Sequence, residues 1–354
     1  MELTFNKFDY HKNLSQQREL FKDCFPETNG DRIQSIEHYL WKFHSFPNEI
    51  HSWEYSANLA TEMVGYYAAI PYRYNLGEIQ ANIGMVCDVM TSTKQRGKGI
   101  FTKIGNYATH DLADNVPFTI GYPRRKEVIP GHLKIGWKIA FPMPLYVKFF
   151  NADSLLKSKK AGLISFVVNP LLKANNYFRS TNISKKYSSS VFEEIDKIKG
   201  YNDFAEEWGK TVRNSLIKNI DFVKWRYNAP GRFYKFLTIN YEGNIVGFVS
   251  FRKIVKEGIL SYGILDYMVL PGYEDCHGLV NEILKTEASK ENVECILCMM
   301  SKYSAHKYKL LRNGFFKTPV TFHLIIKKLS NQFTEEELFT EGNWHLMWVD
   351  SDDL

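Results

Sequence analysis

The stretch Cys87–Ala108, CDVMTSTKQRGKGIFTKIGNYA, decides how this chain is read. Residues 83–91 read as a strand, Ser92–Gly99 as a short polar loop, and 101–115 as a helix with apolar positions at helical spacing. Gly97 and Gly99 let the loop turn its N–H groups to one side and approach a ligand closely. Unpaired N–H groups and the dipole at the helix start attract an anion, and Arg96 and Lys98 add positive charge. A strand, a glycine loop and a helix start in this order form a cradle for a pyrophosphate. The stretch contains neither G-x-G-x-x-G nor Gly-Lys-Ser/Thr, which sets aside the two commonest nucleotide loops.

Outward from this stretch, four landmarks recur in the same order. Trp41-Lys42-Phe43 returns as Trp225-Arg226-Tyr227, and Val64-Gly65 as Val246-Gly247. Asp88 returns as Asp266, and Gly136-Trp137 as Gly314-Phe315. The offsets are 184, 182, 178 and 178 residues. A nearly constant spacing predicts two copies of one mixed α/β unit, each running helix, strand, strand, strand, helix, strand, helix, strand. Gly136 and Gly314 sit where left-handed residues would stop helices. The expected division is a first domain over 1–150, a linker with some helix over 151–185, a second domain over 186–330 and a tail over 331–354.

Composition bounds the rest. The chain has 354 residues, about two domains' worth, with 44% hydrophobic and 24% charged residues, as in ordinary globular proteins. A net charge of +6 spread along the chain permits an anionic ligand without calling for nucleic acid. The start lacks a signal peptide and no apolar run is long enough to span a membrane, so the expected location is cytoplasmic. Five Cys make no disulfide framework. Cys295 and Cys298 lie in a strand-like run where residues three apart face opposite ways, so no metal site is expected.

The central stretch resembles motif A of the GNAT acetyltransferase superfamily, whose signature is Q/R-x-x-G-x-G/A after a central strand. Arg96 and Gly99 match, while Phe101 stands where a Gly or Ala is usual. A second strand at 117–122 and a helix ending at Gly136 follow in the family's order, and the resemblance covers about 60–150. It implies an α/β (α+β mixed sheet) fold with acetyl-CoA, or another acyl-CoA, as co-substrate. Val89, Thr91, Arg96, Gly97, Lys98, Gly99, Ile100 and Phe101 are the implied cofactor-binding residues, with the Val89 N–H facing the thioester oxygen. The pantetheine arm would run between the two strands. The second copy is degenerate: its loop, PGYEDCHGL, has no Arg and carries Glu274 and Asp275, which repel phosphate.

Three catalytic candidates follow. His132, four residues before Gly136, stands where the family often places its acid, and Tyr122 is the second candidate. Asp88 is the candidate base on the motif strand; its partner Asp266 suggests that both are structural, or that Asp266 lines an acceptor pocket. The basic loop Tyr122–Lys126 meets a phosphate or is merely solvated. Two Trp residues before the acidic 350–354 point to a docked tail, against the usual frayed one. The expected activity is N-acetyl transfer to a small-molecule amine such as an amino sugar or sugar nucleotide, without nucleic acid. The alternatives are FemABX-like aminoacyl transfer and a non-catalytic acyl-CoA-binding module.

Overall fold

The strand-rich runs flanking each Val-Gly pair form long antiparallel ladders. The structure is a computed structural model that describes residues 2–123, 125–158, 160, 165–178 and 184–352. In chain order its elements are β1 (Leu3–Lys7), α1 (Tyr10–Cys24), α2 (Ile36–His44), β2 (Trp53–Leu59), β3 (Glu62–Leu76), β4 (Ile79–Thr91), α3 (Ile100–Leu112), β5 (Phe118–Gly121), α4 (Ile129–Lys134), β6 (Lys138–Phe149), α5 (Asp153–Ser158), α6 (Ser165–Phe178), β7 (Ser188–Phe192), α7 (Tyr201–Gly209), β8 (Asn214–Leu216), α8 (Ile220–Tyr227), β9 (Lys235–Tyr241), β10 (Asn244–Lys256), β11 (Ile259–Val269), α9 (His277–Lys290), β12 (Cys295–Met299), α10 (Lys302–Lys307), β13 (Phe316–Lys328) and α11 (Glu335–Phe339). The fold class is mixed α/β, as expected.

Two compact units are present. Unit 1 comprises Met1–Phe141, Asn228–Arg232 and His323–Asn343; unit 2 comprises Pro142–Tyr227, Phe233–Phe322 and Trp344–Leu354. In unit 1, β1 to β4 form an antiparallel meander, β5 joins β4 in parallel, and β13 from Ile325 runs antiparallel to β5. In unit 2, β7, β9, β10 and β11 are antiparallel, β12 joins β11 in parallel, and β6 from Leu145 runs antiparallel to β12. The boundaries therefore differ from a simple cut at 150. Residues from Pro142 pair in unit 2, and residues from His323 pair in unit 1. Between 151 and 185 the chain forms α5 and α6, and residues 161–164 lie outside the described residues. Among the described residues no helix is long and apolar enough to cross a membrane.

The core of unit 1 sits between the sheet and α3. Ile100, Ile104, Ala108 and Leu112 form a stripe four residues apart, all buried against Tyr55, Tyr67, Val86 and Trp137. Each fully buried Ile or Leu contributes roughly 1.5–3 kcal/mol. Several contacts recur about 180 positions apart. The Ser92 N–H donates to Val64 O at 2.9 Å, and the Leu270 N–H to Val246 O at 2.9 Å. Gly136 and Gly314 both have positive φ, 87° and 85°. The residues after them close the same turn, Trp137 N–H to His132 O and Phe315 N–H to Leu310 O.

The parallel β4–β5 pairing runs only from Gly84↔Thr119 to Val86↔Gly121. A Cβ on Gly84 would stand 2.8 Å from Thr119 Cγ2, so a side chain here would force Thr119 or the strands to shift. Gly84→Ala is expected to lower unfolding free energy in urea by about 1–3 kcal/mol, the usual cost of overpacking. Adding Thr119→Ser should recover most of that loss. No recovery would mean that the cost lies elsewhere than in this contact.

Candidate active site

β4 carries an irregularity near its C-terminal end. Tyr66 pairs with Met90 and Ala68 with Cys87, so the single residue Tyr67 opposes both Asp88 and Val89. This is a β-bulge, and Asp88 within it takes a positive φ of 47°. The added twist coincides with the end of β4–β5 pairing at Val86, beyond which Cys87–Thr91 have no β5 partner. The two strands part there, with half-buried Val89 and Thr91 on one side and half-buried Tyr122 on the other. The Thr91 hydroxyl is buried with no hydrogen-bond partner among the described residues.

Beyond β4 the chain enters the loop expected to bind an anion. Gly97 and Gly99 have φ of 79° and 76°, a region that L side chains rarely adopt. Residues 96–99 are exposed, and α3 begins at Ile100 with Gly99 as its N-cap. No backbone acceptor is recorded for the Gly97, Lys98 or Gly99 N–H among the described residues. With the first-turn N–H groups of α3 they form a row of donors at the positive end of the helix dipole. The residues present thus fit a pyrophosphate. Asp23, at the end of α1, anchors the loop by accepting from the Thr93 N–H at 2.8 Å and the Thr93 hydroxyl at 2.6 Å. Partial burial raises the Asp23 pKa, but the Thr93 bonds and nearby Arg96 outweigh it and hold the carboxyl below its usual range. The Lys98 ammonium donates to Gln95 at 2.7 Å.

Phe101 occupies the position where small residues are usual in the family. Its ring lies over Gly131, with the edge of His132 at a centroid distance of 5.0 Å. The side chain fills the space between α3 and α4 and leaves the Phe101 N–H at the helix start. His132 is packed between Phe101 and Trp137. Burial among these rings pushes its pKa down to about 4. The imidazole is therefore neutral at pH 7, which weighs against His132 as the proton donor.

Asp88 does not stand free. Buried Lys42 of α2 binds it at 3.0 Å, so this candidate base is held in an ion pair across the bulge. Sequence reasoning used Trp41-Lys42-Phe43 only as a landmark and missed this role of Lys42. It also missed Glu54, buried on β2, whose carboxylate accepts from the Tyr39 and Tyr66 hydroxyls. A lone acid between Trp53 and Tyr55 in a strand-like run was the available signal. In the basic loop, Arg125 is engaged by Glu27 and by Cys24 O, and Arg124 lies outside the described residues. Cys295 and Cys298 are buried free thiols, and no metal-binding group occurs among the described residues.

Unit 2 treats the corresponding features differently. In its loop the Gly272 N–H is taken by the Glu274 carboxylate at 3.0 Å. Asp275 pairs with Lys186 at 2.9 Å. A phosphate would have to displace an internal carboxylate. Asp266 does not line an open pocket: it is 1% exposed and bound by Lys218 at 2.9 Å and His345 at 3.3 Å.

With this geometry in view, comparison with known proteins is direct. Residues 10–140 match the family described as Acetyltransferase (GNAT) domain. That match covers the bulge, the loop, α3 and α4. No match is found among curated proteins. Among solved structures, a GCN5-related N-acetyltransferase from Anabaena variabilis superposes with a TM-score of 0.66 at 11% identity, covering 93% of this chain and 73% of that one. A probable N-acyltransferase from Enterococcus faecalis gives 0.66 at 12% identity, covering 94% and 74%. A GCN5-related N-acetyltransferase from Kribbella flavida gives 0.57 at 12% identity, covering 93% and 72%. At these identities the likeness is one of fold.

The buried histidine sets a pH dependence. The unfolded chain binds a proton on His132 below about 6.5, while the folded chain does so only near 4. Stability is therefore present above pH 6.5 and lost as pH falls toward 4, by up to about 3 kcal/mol for this residue. His277 and His345 are also pushed down to about 4 and act in the same direction. Urea titrations of His132→Phe between pH 7 and 4 should show a shallower loss than wild type. Equal slopes would show that His132 is not buried neutral.

Proposed function

We propose that this protein transfers an acyl group, acetyl by default, from acyl-CoA to the amine of a small-molecule acceptor, and that unit 1 does so. The observation that carries this reading is the bulged β4, parting from β5 and leading through exposed Arg96–Gly99 into the start of α3. In this reading the CoA pyrophosphate rests on the N–H groups from Gly97 to Phe101, with Arg96 and Lys98 beside it. The pantetheine arm lies between β4 and β5 beyond Val86, near Thr91. The Val89 N–H meets the thioester oxygen as it gains charge. A neutral amine attacks the carbonyl carbon, the C–N bond forms, the C–S bond breaks, and the proton lost by the amine nitrogen passes to solvent, from which the acid that protonates the thiolate is restored.

The leaving thiolate then takes a proton. Tyr122, at the end of β5 on the opposite wall, is the proposed donor, because His132 is neutral and enclosed by rings. Asp88 is proposed to fix the bulge through Lys42 rather than to take the amine's proton. The two units are proposed as tandem copies in which unit 2 has lost CoA binding, supported by Glu274 occupying its own loop. An amino sugar or sugar nucleotide remains the proposed acceptor class, with the cytoplasm as the proposed location.

Ligand binding and three variants test the reading. Acetyl-CoA in large excess over its Kd should raise the melting temperature by several degrees, which corresponds to about 3 kcal/mol at a hundredfold excess. Gly99→Asp should abolish the shift and Gly272→Asp should leave it intact. A wild type that acetyl-CoA does not stabilise overturns the reading. Tyr122→Phe should lower kcat by about 10²–10⁴ with acetyl-CoA affinity nearly unchanged.

A further inference from the structure

In unit 1, α2 and β4 close on each other through the Lys42–Asp88 pair. In unit 2 the segment Trp344–Ser351 packs on the corresponding residues. Arg226, aligned with Lys42 by its neighbour Trp225, donates to the carbonyls of Trp348, Val349 and Ser351 at 3.3–3.5 Å. Asp266, aligned with Asp88, takes Lys218 and His345. Lys218 also faces the Asp350 carboxylate at 3.6 Å. The segment makes no strand ladder among the described residues; one isolated bridge, Asn214↔Trp344, is its only sheet-type contact there. It is nonetheless thoroughly enclosed, with Met347, Val349 and Asp350 at 0% exposure. The Asp350 carboxylate caps its own turn by accepting from the Met347 N–H at 2.8 Å, and the His345 ring meets Trp208 edge-on at 4.7 Å.

Carbonyls held by an arginine, one carboxylate facing a buried lysine, and aromatic neighbours are contacts by which a peptide can be recognised. We infer that unit 2 carries a peptide-binding site formed by Lys218, Arg226, Asp266 and Trp208, and that its occupant is this chain's own segment Trp344–Ser351. The site takes a short peptide with a histidine, two large apolar side chains and an aspartate in the spacing His345, Met347, Trp348, Asp350. This inference does not depend on acyl transfer by unit 1.

A protease site inserted after exposed Gly342 in the full chain tests it. After cleavage the fragment should co-elute with the protein on gel filtration. A fluorescently labelled synthetic peptide 343–354 should replace it over time, while the same peptide with Asp350→Lys should compete about tenfold or more less well. A fragment lost at once, one that never exchanges, or a protein that unfolds on release overturns the inference. The uncut chain gives an independent measurement. Asp350→Lys should expose 344–351 to carboxypeptidase while amide protection in β9–β11 is retained. Collapse of that protection would make the segment an ordinary part of the fold and overturn the proposal.

Discussion

One extra residue in β4 shapes the N-terminal unit. Asp88 and Val89 together oppose Tyr67, directly beyond the last β4–β5 pair, Val86↔Gly121, where β5 also ends. The left-handed backbone at Asp88 is costly for a non-glycine residue, and the buried ion pair to Lys42 stands where it holds that conformation. The bulge thus links helix α2, the strand and the opening in a single interaction. The loop and α3 follow directly, with Asp23 of α1 tying the loop from the other side.

The second unit shows which of these features can change while the sheet persists. It keeps a parallel pairing that stops at Ile264, 178 positions after Val86, and a bulge at Leu265. It keeps the aspartate but supplies Lys218 as its partner and covers it with His345. Its loop bonds to its own Glu274. Small changes in side chains therefore separate a loop with open N–H groups from one that is internally satisfied.

Much of this was legible in sequence. Gly97, Gly99, Gly136 and Gly314 all take the left-handed φ that their positions implied, and Cys295–Met299 is the expected buried strand. Local rules suffice there, since a glycine in a turn answers to its neighbours in the chain. What remained hidden was long-range. Nothing in residues 142–149 or 323–328 announces which unit each strand pairs in. The low pKa of His132 arises from Phe101 and Trp137, brought together only by the packing of α3 on α4. Lys42 is only part of a repeated landmark in the sequence until the fold buries it beside Asp88. The two Trp residues near 350 did signal docking, but not the buried contacts that His345 and Asp350 make with Asp266 and Lys218.

The central claim is that one unit, and not both, presents an open cradle for acyl-CoA. Calorimetric titration of the full chain with acetyl-CoA measures this directly. The account predicts binding saturating at one molecule per chain. Saturation at two molecules per chain, or no heat of binding at all, would contradict it.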